Sequence, residues 1–300
     1  MNARRPPGGS SYPDGTPAAV RVERADAHYP ADLEDLRENA PPHFWTLGAL
    51  ETLAVRPRVA IVGTRKATQY GLRITRELTT AFVRAGACVV SGLAAGIDGM
   101  AHRTALDSEG ATIAVLGTGL DRVFPTGHRD LQRRIAQRGL LISELEADDH
   151  GMKFTFPSRN RIIAALCRLT IVVEAGEKSG ALNTADHATK LQRPVAAVPG
   201  PIDQPQSAGT NSLIATGAHI VTSIADALAL AGLTPPPMTH RGDPAGDEGR
   251  VWAALANGGL DIDSLCHFSG LPAAKCLAAV TRLEIAGSVE CALTGEIRRR

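Results

Sequence analysis

Aromatic residues are scarce: six phenylalanines, three tyrosines and two tryptophans make up 4% of the 300 residues. That scarcity, set beside 30 glycines, fits an α/β core with tight turns better than a β-sandwich. Cysteine is sparse as well. Cys88, Cys167, Cys266, Cys276 and Cys291 are scattered, odd in number and form no CxxC pair, which points to reduced structural thiols in a cytoplasmic protein. No apolar run is long enough to span a bilayer. The first residues, with Arg4, Arg5, Pro6 and Pro7, lack the apolar stretch of a signal peptide. Excess charge is missing too. Lysine and arginine total 32 against 31 acidic residues, a net charge of +1, so any polyanion must be gripped at a focused site rather than by a basic coat.

What the chain does have is a repeated strand–turn–helix rhythm. Residues 1–24 are rich in Gly, Pro, Arg and Ser and are expected to be disordered. A short helix over 33–36 and an extended piece at 44–47 follow. Strands are then predicted at 59–62, 87–91, 112–116, 140–143, 169–173 and 194–197, with a short segment at 219–221. Each is almost continuously apolar, as a parallel strand covered by helices on both faces requires. Helices such as 71–84 and 98–108 are long enough for right-handed crossovers. Residues 232–249 read as a linker between the main domain (25–231) and a C-terminal domain (250–300). The latter shows helical patterns at 251–255, 262–268 and 272–286 and extended pieces around 289–293 and 296–298, the outline of a winged helix.

The stretch "VAIVGTRKATQYG" (59–71) opens like a nucleotide-binding fold but lacks GxGxxG, and the next strand ends without the required acid. No Walker A string occurs either. The remaining functional reading is anion binding by exposed N–H groups at Gly63 and Thr64, with charge from Arg65 and Lys66. Glycines that merely turn the chain, with a solvent-facing Arg65, explain this loop equally well when it is taken alone. In a parallel sheet the turns at 63–66, 92–98, 117–120 and 174–180 should meet at one edge. "FTFPSRNRIIAAL" (154–166) adds Arg159, Asn160 and Arg161; with a helix starting near Asn160, both guanidiniums would sit at its N-terminus, where a phosphate would favour them. The alternative is two surface arginines partnered to Glu174 or Asp98. Lys178, Ser179 and Gly180 precede another helix and form a third anion-friendly start.

Together, "VAIVGTRKATQYG", "VVSGLAAGIDGMAH", "AVLGTGLDRVFP", "FPSRNRIIAAL", "EAGEKSGALNTADHA" and "VPGPIDQPQSAGTNSLIATGA" resemble the DNA processing protein DprA/Smf family, in order and spacing over roughly residues 29–225. The resemblance implies an extended Rossmann-like parallel sheet with helices on both faces, plus a small C-terminal winged-helix domain. It implies a homodimeric binder of single-stranded DNA that protects incoming DNA in natural transformation and loads RecA onto it. Single-stranded DNA-binding protein would be a further partner; no cofactor or metal is implied. Arg65, Arg159, Arg161 and Lys178 would hold phosphates, with Gly63, Thr64, Ser179 and Gly180 as donors. Phe154 and Phe156 would either stack on bases or pack in the core. Two departures stand out. Many relatives read GLARGID where this chain has Ala95, and longer members carry a small helical domain that the residues before "YPADL" leave no room for.

Asp98 and His102, four apart on one helix face, are candidates for metal or acid–base chemistry, but nothing else converges on them. They are read as supporting residues that fix a glycine loop, with Asp98 orienting nearby arginines. A rival enzyme reading comes from a distant resemblance to nucleoside-monophosphate phosphoribohydrolases. Their PGGxGTxxE string is broken here: Pro199-Gly200 lies apart from Gly209-Thr210, and Asn211 and Ser212 follow without the glutamate. The chain is therefore expected not to be an enzyme. A winged-helix transcription regulator is the other alternative; the third helix offers Lys275 and Arg282 and the chain ends Arg298 to Arg300, a thin set for reading a major groove.

Overall fold

The computed structural model of the chain describes residues 18–234, 245–285, 287–292 and 295–299. Contacts divide the chain into two compact units, Met1–Pro236 and Pro237–Arg300.

The first unit is built on a nine-stranded sheet. The central strand β3 (Arg58–Val62) is buried throughout and leads into helix α1 (Gln69–Arg84). From there β4 (Cys88–Ser91), α2 (Ile97–Asp107), β5 (Thr112–Val115), α3 (Arg129–Arg138) and β6 (Leu140–Ser143) step away on one side of β3. After α4 (Thr155–Leu166) the chain crosses to the other side of β3. There it lays down β7 (Leu169–Val172), α5 (Gly180–Lys190), β8 (Val195–Ala197), α6 (Ala208–Ala215), β9 (His219–Ile220) and α7 (Ile224–Leu230). All pairs from β6 through β9 are parallel. The strand order reverses between β4 and β7 around β3, which makes the carboxyl end of β3 a topological switch point.

Strand periodicity explains why these segments read as unbroken apolar runs. Val59 and Ile61 face one layer with Leu78 and Phe82 of α1, while Ala60 and Val62 face the other with Ile162 and Ile163 of α4. Each large side chain buried this way contributes roughly 1.5–3 kcal/mol.

The sheet departs from the all-parallel expectation at one edge. Strands β1 (Val20–Glu23) and β2 (His43–Gly48) pair antiparallel with each other, and β2 pairs antiparallel with β6. Thus Val20–Glu23, inside the segment expected to be disordered, is a strand; pairing with β2 satisfies its backbone and buries Val22. Residues 1–17 lie outside the described residues. The expected helix at 33–36 belongs to a longer 3-10 segment, Ala31–Asn39. That segment is tied to the foot of the sheet by fully buried Arg58, which ion-pairs with Asp32 and donates to the carbonyls of Leu166 at 2.6 Å and Leu53 at 2.7 Å.

In the second unit, α8 (Gly246–Ala254), α9 (Ile262–Ser269) and α10 (Ala273–Ile285) precede the antiparallel pair β10 (Val289–Cys291) and β11 (Ile297–Arg299), a winged-helix arrangement. Helix α8 begins inside the stretch read as linker, because Val251 and Trp252 must reach a core shared with Leu265, Val280 and Leu283. Residues 235–244 lie outside the described residues. Asp261 caps α9 by accepting from the Ser264 N–H at 2.8 Å, and Gly270 ends it at φ 65°, a conformation that costs glycine nothing.

Candidate nucleic-acid interface

A cleft of about 700 Å³ opens at the switch point, lined in part by Gly63, Thr64, Arg65 and Lys66 from the β3–α1 turn and by Lys178, Ser179 and Gly180 from the β7–α5 turn. Arg159, Asn160 and Phe156 enter it from α4, and Asp98 from the start of α2. Three turns far apart in the chain, those after β3, β4 and β7, meet α4 here because every parallel strand ends at the same edge, while the expected fourth turn, 117–120, does not line the cleft.

The turns are held by two buried carboxylates and by backbone hydrogen bonds between them. Buried Glu174 accepts from the Thr68 N–H at 2.9 Å and from the Thr68 hydroxyl, and its backbone carbonyl accepts from the Thr64 N–H at 2.7 Å. Asp98 accepts from the N–H groups of Gly92 at 3.1 Å and Gly63 at 3.4 Å. Burial pushes the Asp98 carboxyl above the usual carboxylate range, against the pull of the Arg159 charge and the backbone donors. Sequence reasoning had Glu174 only as a possible arginine partner. Its role in shaping the β3–α1 turn rests on a contact 106 residues away in sequence, which leaves no local signal.

Arg159 is 7% exposed and donates to the Gly92 carbonyl at 2.9 Å and to the Asn160 side chain at 3.2 Å. Burial is the main cause that brings its guanidinium down to about 10; Asp98 opposes the shift and neighbouring Arg65 adds to it. A Cβ at position 92 would lie 2.6 Å from the Arg159 guanidinium, so any other residue there would have to displace it. Asn160 in turn donates to the Asn183 side chain at 3.1 Å, linking α4 to α5. Arg65, Lys66 and Lys178 are exposed, and among the described residues none of them has an ion-pair partner. Ser179 caps α5, its hydroxyl accepting from the Ala181 N–H at 3.4 Å and its carbonyl from the Leu182 N–H at 3.1 Å, while the Gly180 N–H beside them has no partner among the described residues. The sum is a concave surface with four cations, one buried carboxylate and a helix-start donor, suited to oxyanions.

Three expectations need correction. Helix α4 begins at Thr155, not near Asn160: Pro157 falls in the first turn, where no N–H is needed. Arg159 and Arg161 therefore sit inside the helix about 200° apart around its axis and cannot share a face. Arg161 points away from the cleft, forms a bidentate pair with Glu144 at 2.6 and 2.7 Å, and donates to the Asn39 carbonyl at 2.9 Å. His102, read with Asp98 as fixing a glycine loop, is hydrogen-bonded to β5 instead. It is fully buried between α2 and β5, its Nδ1 2.8 Å from the Thr112 hydroxyl. Because that hydroxyl donates to the Val89 carbonyl, Nδ1 carries the proton. Burial pushes the ring down to about 3, with His128 and Arg159 adding to the effect.

The two phenylalanines separate. Phe156 is half-buried, lines the cleft and packs on Phe124 at 4.8 Å between centroids, whereas Phe154 stands 65% exposed on the rim. Neither lies in a buried core cluster. Ala94 rather than Ala95 lines the cleft. No helix among the described residues is long and apolar enough to cross a membrane.

Comparison with known proteins identifies the lineage. Residues 21–232 match the family model described as DNA recombination-mediator protein A, and residues 234–292 match that of the DprA winged helix domain. The chain is 42% identical over 269 residues to the putative DNA processing protein DprA of Mycobacterium tuberculosis, covering 84% of this chain and 67% of that protein. It is similar to the X-ray structure of DNA processing protein A from Streptococcus pneumoniae, with TM-score 0.67, 40% identity and coverage of 72% and 74%. It is also similar to the Helicobacter pylori DNA processing protein A, a structure described as showing a single-stranded DNA binding mode, with TM-score 0.64, 32% identity and coverage of 69% and 93%. With the sheet, the winged helix and both family models in agreement, this chain belongs to the DprA/Smf family of DNA recombination mediators.

Proposed function

We propose that the cleft at the end of β3 binds the backbone of single-stranded DNA, and that the protein protects such strands and passes them to RecA. The observation that carries this reading is the convergence of Arg65, Lys66 and Lys178, none of them neutralised by an ion pair among the described residues, with buried Arg159 in one cleft. Contacts of this kind grip phosphate without reading sequence. Phe156 and Phe154, at the wall and rim, would stack on bases in a sequence-tolerant way. A chain of net charge +1 has few cations to spare, so a homodimer that doubles the phosphate contacts suits tight binding in the cytoplasm.

The same geometry favours binding over hydrolysis. Where the phosphoribohydrolase string carries its glutamate, three residues after Thr210, this chain has Leu213; Asn211, two residues before it, clamps the Gly200 backbone, accepting from its N–H at 3.1 Å and donating to its carbonyl at 2.9 Å. Three arginines of the winged helix are used internally, leaving Lys275 as the exposed cation of its third helix, which fits an accessory role better than promoter reading. Arg282 pairs with Glu248, Arg298 with Glu290, and Arg299 lies 4.2 Å from the centroid of the Trp252 ring.

The test is binding to labelled single-stranded and duplex oligonucleotides across a salt series. Arg65→Ala and Lys178→Ala should each weaken single-strand binding about tenfold and lower the salt slope by about 0.7. Unchanged affinity in both variants, or a preference for duplex, would overturn the site. RecA filament formation on strands coated with single-stranded DNA-binding protein tests the loading step.

A further inference from the structure

Beside the basic cleft lies a second one of about 650 Å³, lined by Thr68 from the β3–α1 turn, by Gln69 and Tyr70 at the start of α1, by Glu174, and by the loop that follows β8, including Pro199, Pro201 and Gln204. Its chemistry differs from its neighbour's. No lysine or arginine lines it, and Glu174 presents a carboxylate, so a phosphate is disfavoured there. What it offers is flat: the Tyr70 ring, 38% exposed and carrying the Arg73 guanidinium 5.6 Å from its centroid, two proline rings, and the side-chain amides of Gln69 and Gln204, which have no intramolecular hydrogen-bond partner among the described residues.

The cleft is preformed. The Tyr70 hydroxyl donates to the Pro199 carbonyl at 3.1 Å. Asn211 holds the adjoining Gly200 by its N–H and carbonyl, and the Ser207 side chain packs directly under Gly200. Position matters as much as chemistry. Lys66 in the first cleft and Thr68 in the second are two residues apart, as are Gly176 and Glu174, so the clefts share a wall and their linings come within about 7 Å. That is a step comparable to one nucleotide along a strand.

We propose that this second cleft is a nucleobase subsite: when a phosphate sits against Arg65 and Lys66, the adjoining base of the same single strand stacks on Tyr70 and bonds through its edge to Gln69 and Gln204. The proposal rests on the reading of the basic cleft as a strand-binding site. It assigns Tyr70 a direct contact with nucleic acid and makes the site discriminate a base-bearing strand from a bare sugar–phosphate chain.

The experiment compares two labelled oligonucleotides of equal length, oligo(dT) and an abasic strand, by fluorescence anisotropy. Tyr70→Ala should weaken oligo(dT) binding about tenfold and leave the abasic strand and the salt slope unchanged. Tyr70→Phe, which keeps the ring, should retain most of the affinity. Gln204→Ala, whose amide holds nothing within the protein, guards against a folding artefact and should give about a threefold loss confined to oligo(dT). Equal losses on both strands, or none on oligo(dT) with either Tyr70→Ala or Gln204→Ala, would overturn the subsite. Failure of the basic cleft itself shows separately, as an Arg65→Ala protein that binds both strands like the wild type.

Discussion

Two arginines separated by a single residue have opposite fates. Arg159 is buried, donating to the Gly92 carbonyl and the Asn160 side chain, and Arg161 is spent on Glu144 and Asn39. Arg161→Ala is therefore expected to leave single-strand affinity within about twofold while costing about 1–3 kcal/mol of stability, read as a lower urea midpoint, because its bidentate pair is partly buried. Arg159→Ala should do the reverse in binding, with a loss of at least tenfold. A third residue acts through pH. The folded-state pKa of His102 lies below its ordinary 6.5, at about 3, so the unfolded chain binds the extra proton between those values. Its contribution is fully present above pH 6.5 and is lost as pH falls toward 3. Lowering pH from 7 to 5 should cost about 2 kcal/mol through this group, and His102→Gln should flatten that dependence in urea titrations at the two pH values.

At the level of elements, the cleft depends on two helices and a strand end meeting closely. Gly92 ends the β4 turn under the Arg159 guanidinium. Gly92→Ala should therefore displace Arg159 and weaken strand binding about tenfold, more than it disturbs the melting temperature, since the side chain can shift outward but the site cannot tolerate that shift. At the opposite end of the sheet, Arg58 joins the 3-10 segment to β3 and to the end of α4. Arg58→Ala would orphan two buried carbonyls and leave a cavity, with an expected cost of about 3–5 kcal/mol. Arg58→Met, which fills the volume, should be milder; chemical denaturation of both variants decides. Neither change touches the cleft, so the protein that still folds should bind normally.

For the whole molecule, the two units have separate cores: one set of buried side chains spans the nine-stranded sheet, another gathers Val251, Trp252, Leu265 and Ile297. The cleft is built entirely from the first. A fragment of residues 18–234 is expected to retain single-strand affinity within about threefold at equal ionic strength, measured by the same anisotropy assay. A loss of tenfold or more would show that the winged helix contributes contacts of its own. Sedimentation of the full chain with and without oligonucleotide tests the proposed dimer.

Much of this organisation was legible in the amino-acid order alone. Apolar runs such as 59–62 and 169–173 can satisfy both faces only as central parallel strands, and parallel strands bring their trailing turns to one edge, so the meeting of 63–66 with 178–180 follows from periodicity. The winged helix was equally local, its helical patterns at 262–268 and 272–286 falling on α9 and α10. Other features were decided only in three dimensions. Val20–Glu23 is a strand because β2 is there to pair with it, although its own composition argues for disorder. The start of α4 at Thr155 placed Arg159 inward and Arg161 outward, a one-turn difference that residue spacing before a proline does not resolve. Glu174 and Tyr70 owe their places to partners more than a hundred residues away. Sequence determines what is local and periodic; which charges stay unpaired, and which ring lines a cleft, depends on long-range contacts that exist only once the sheet has closed.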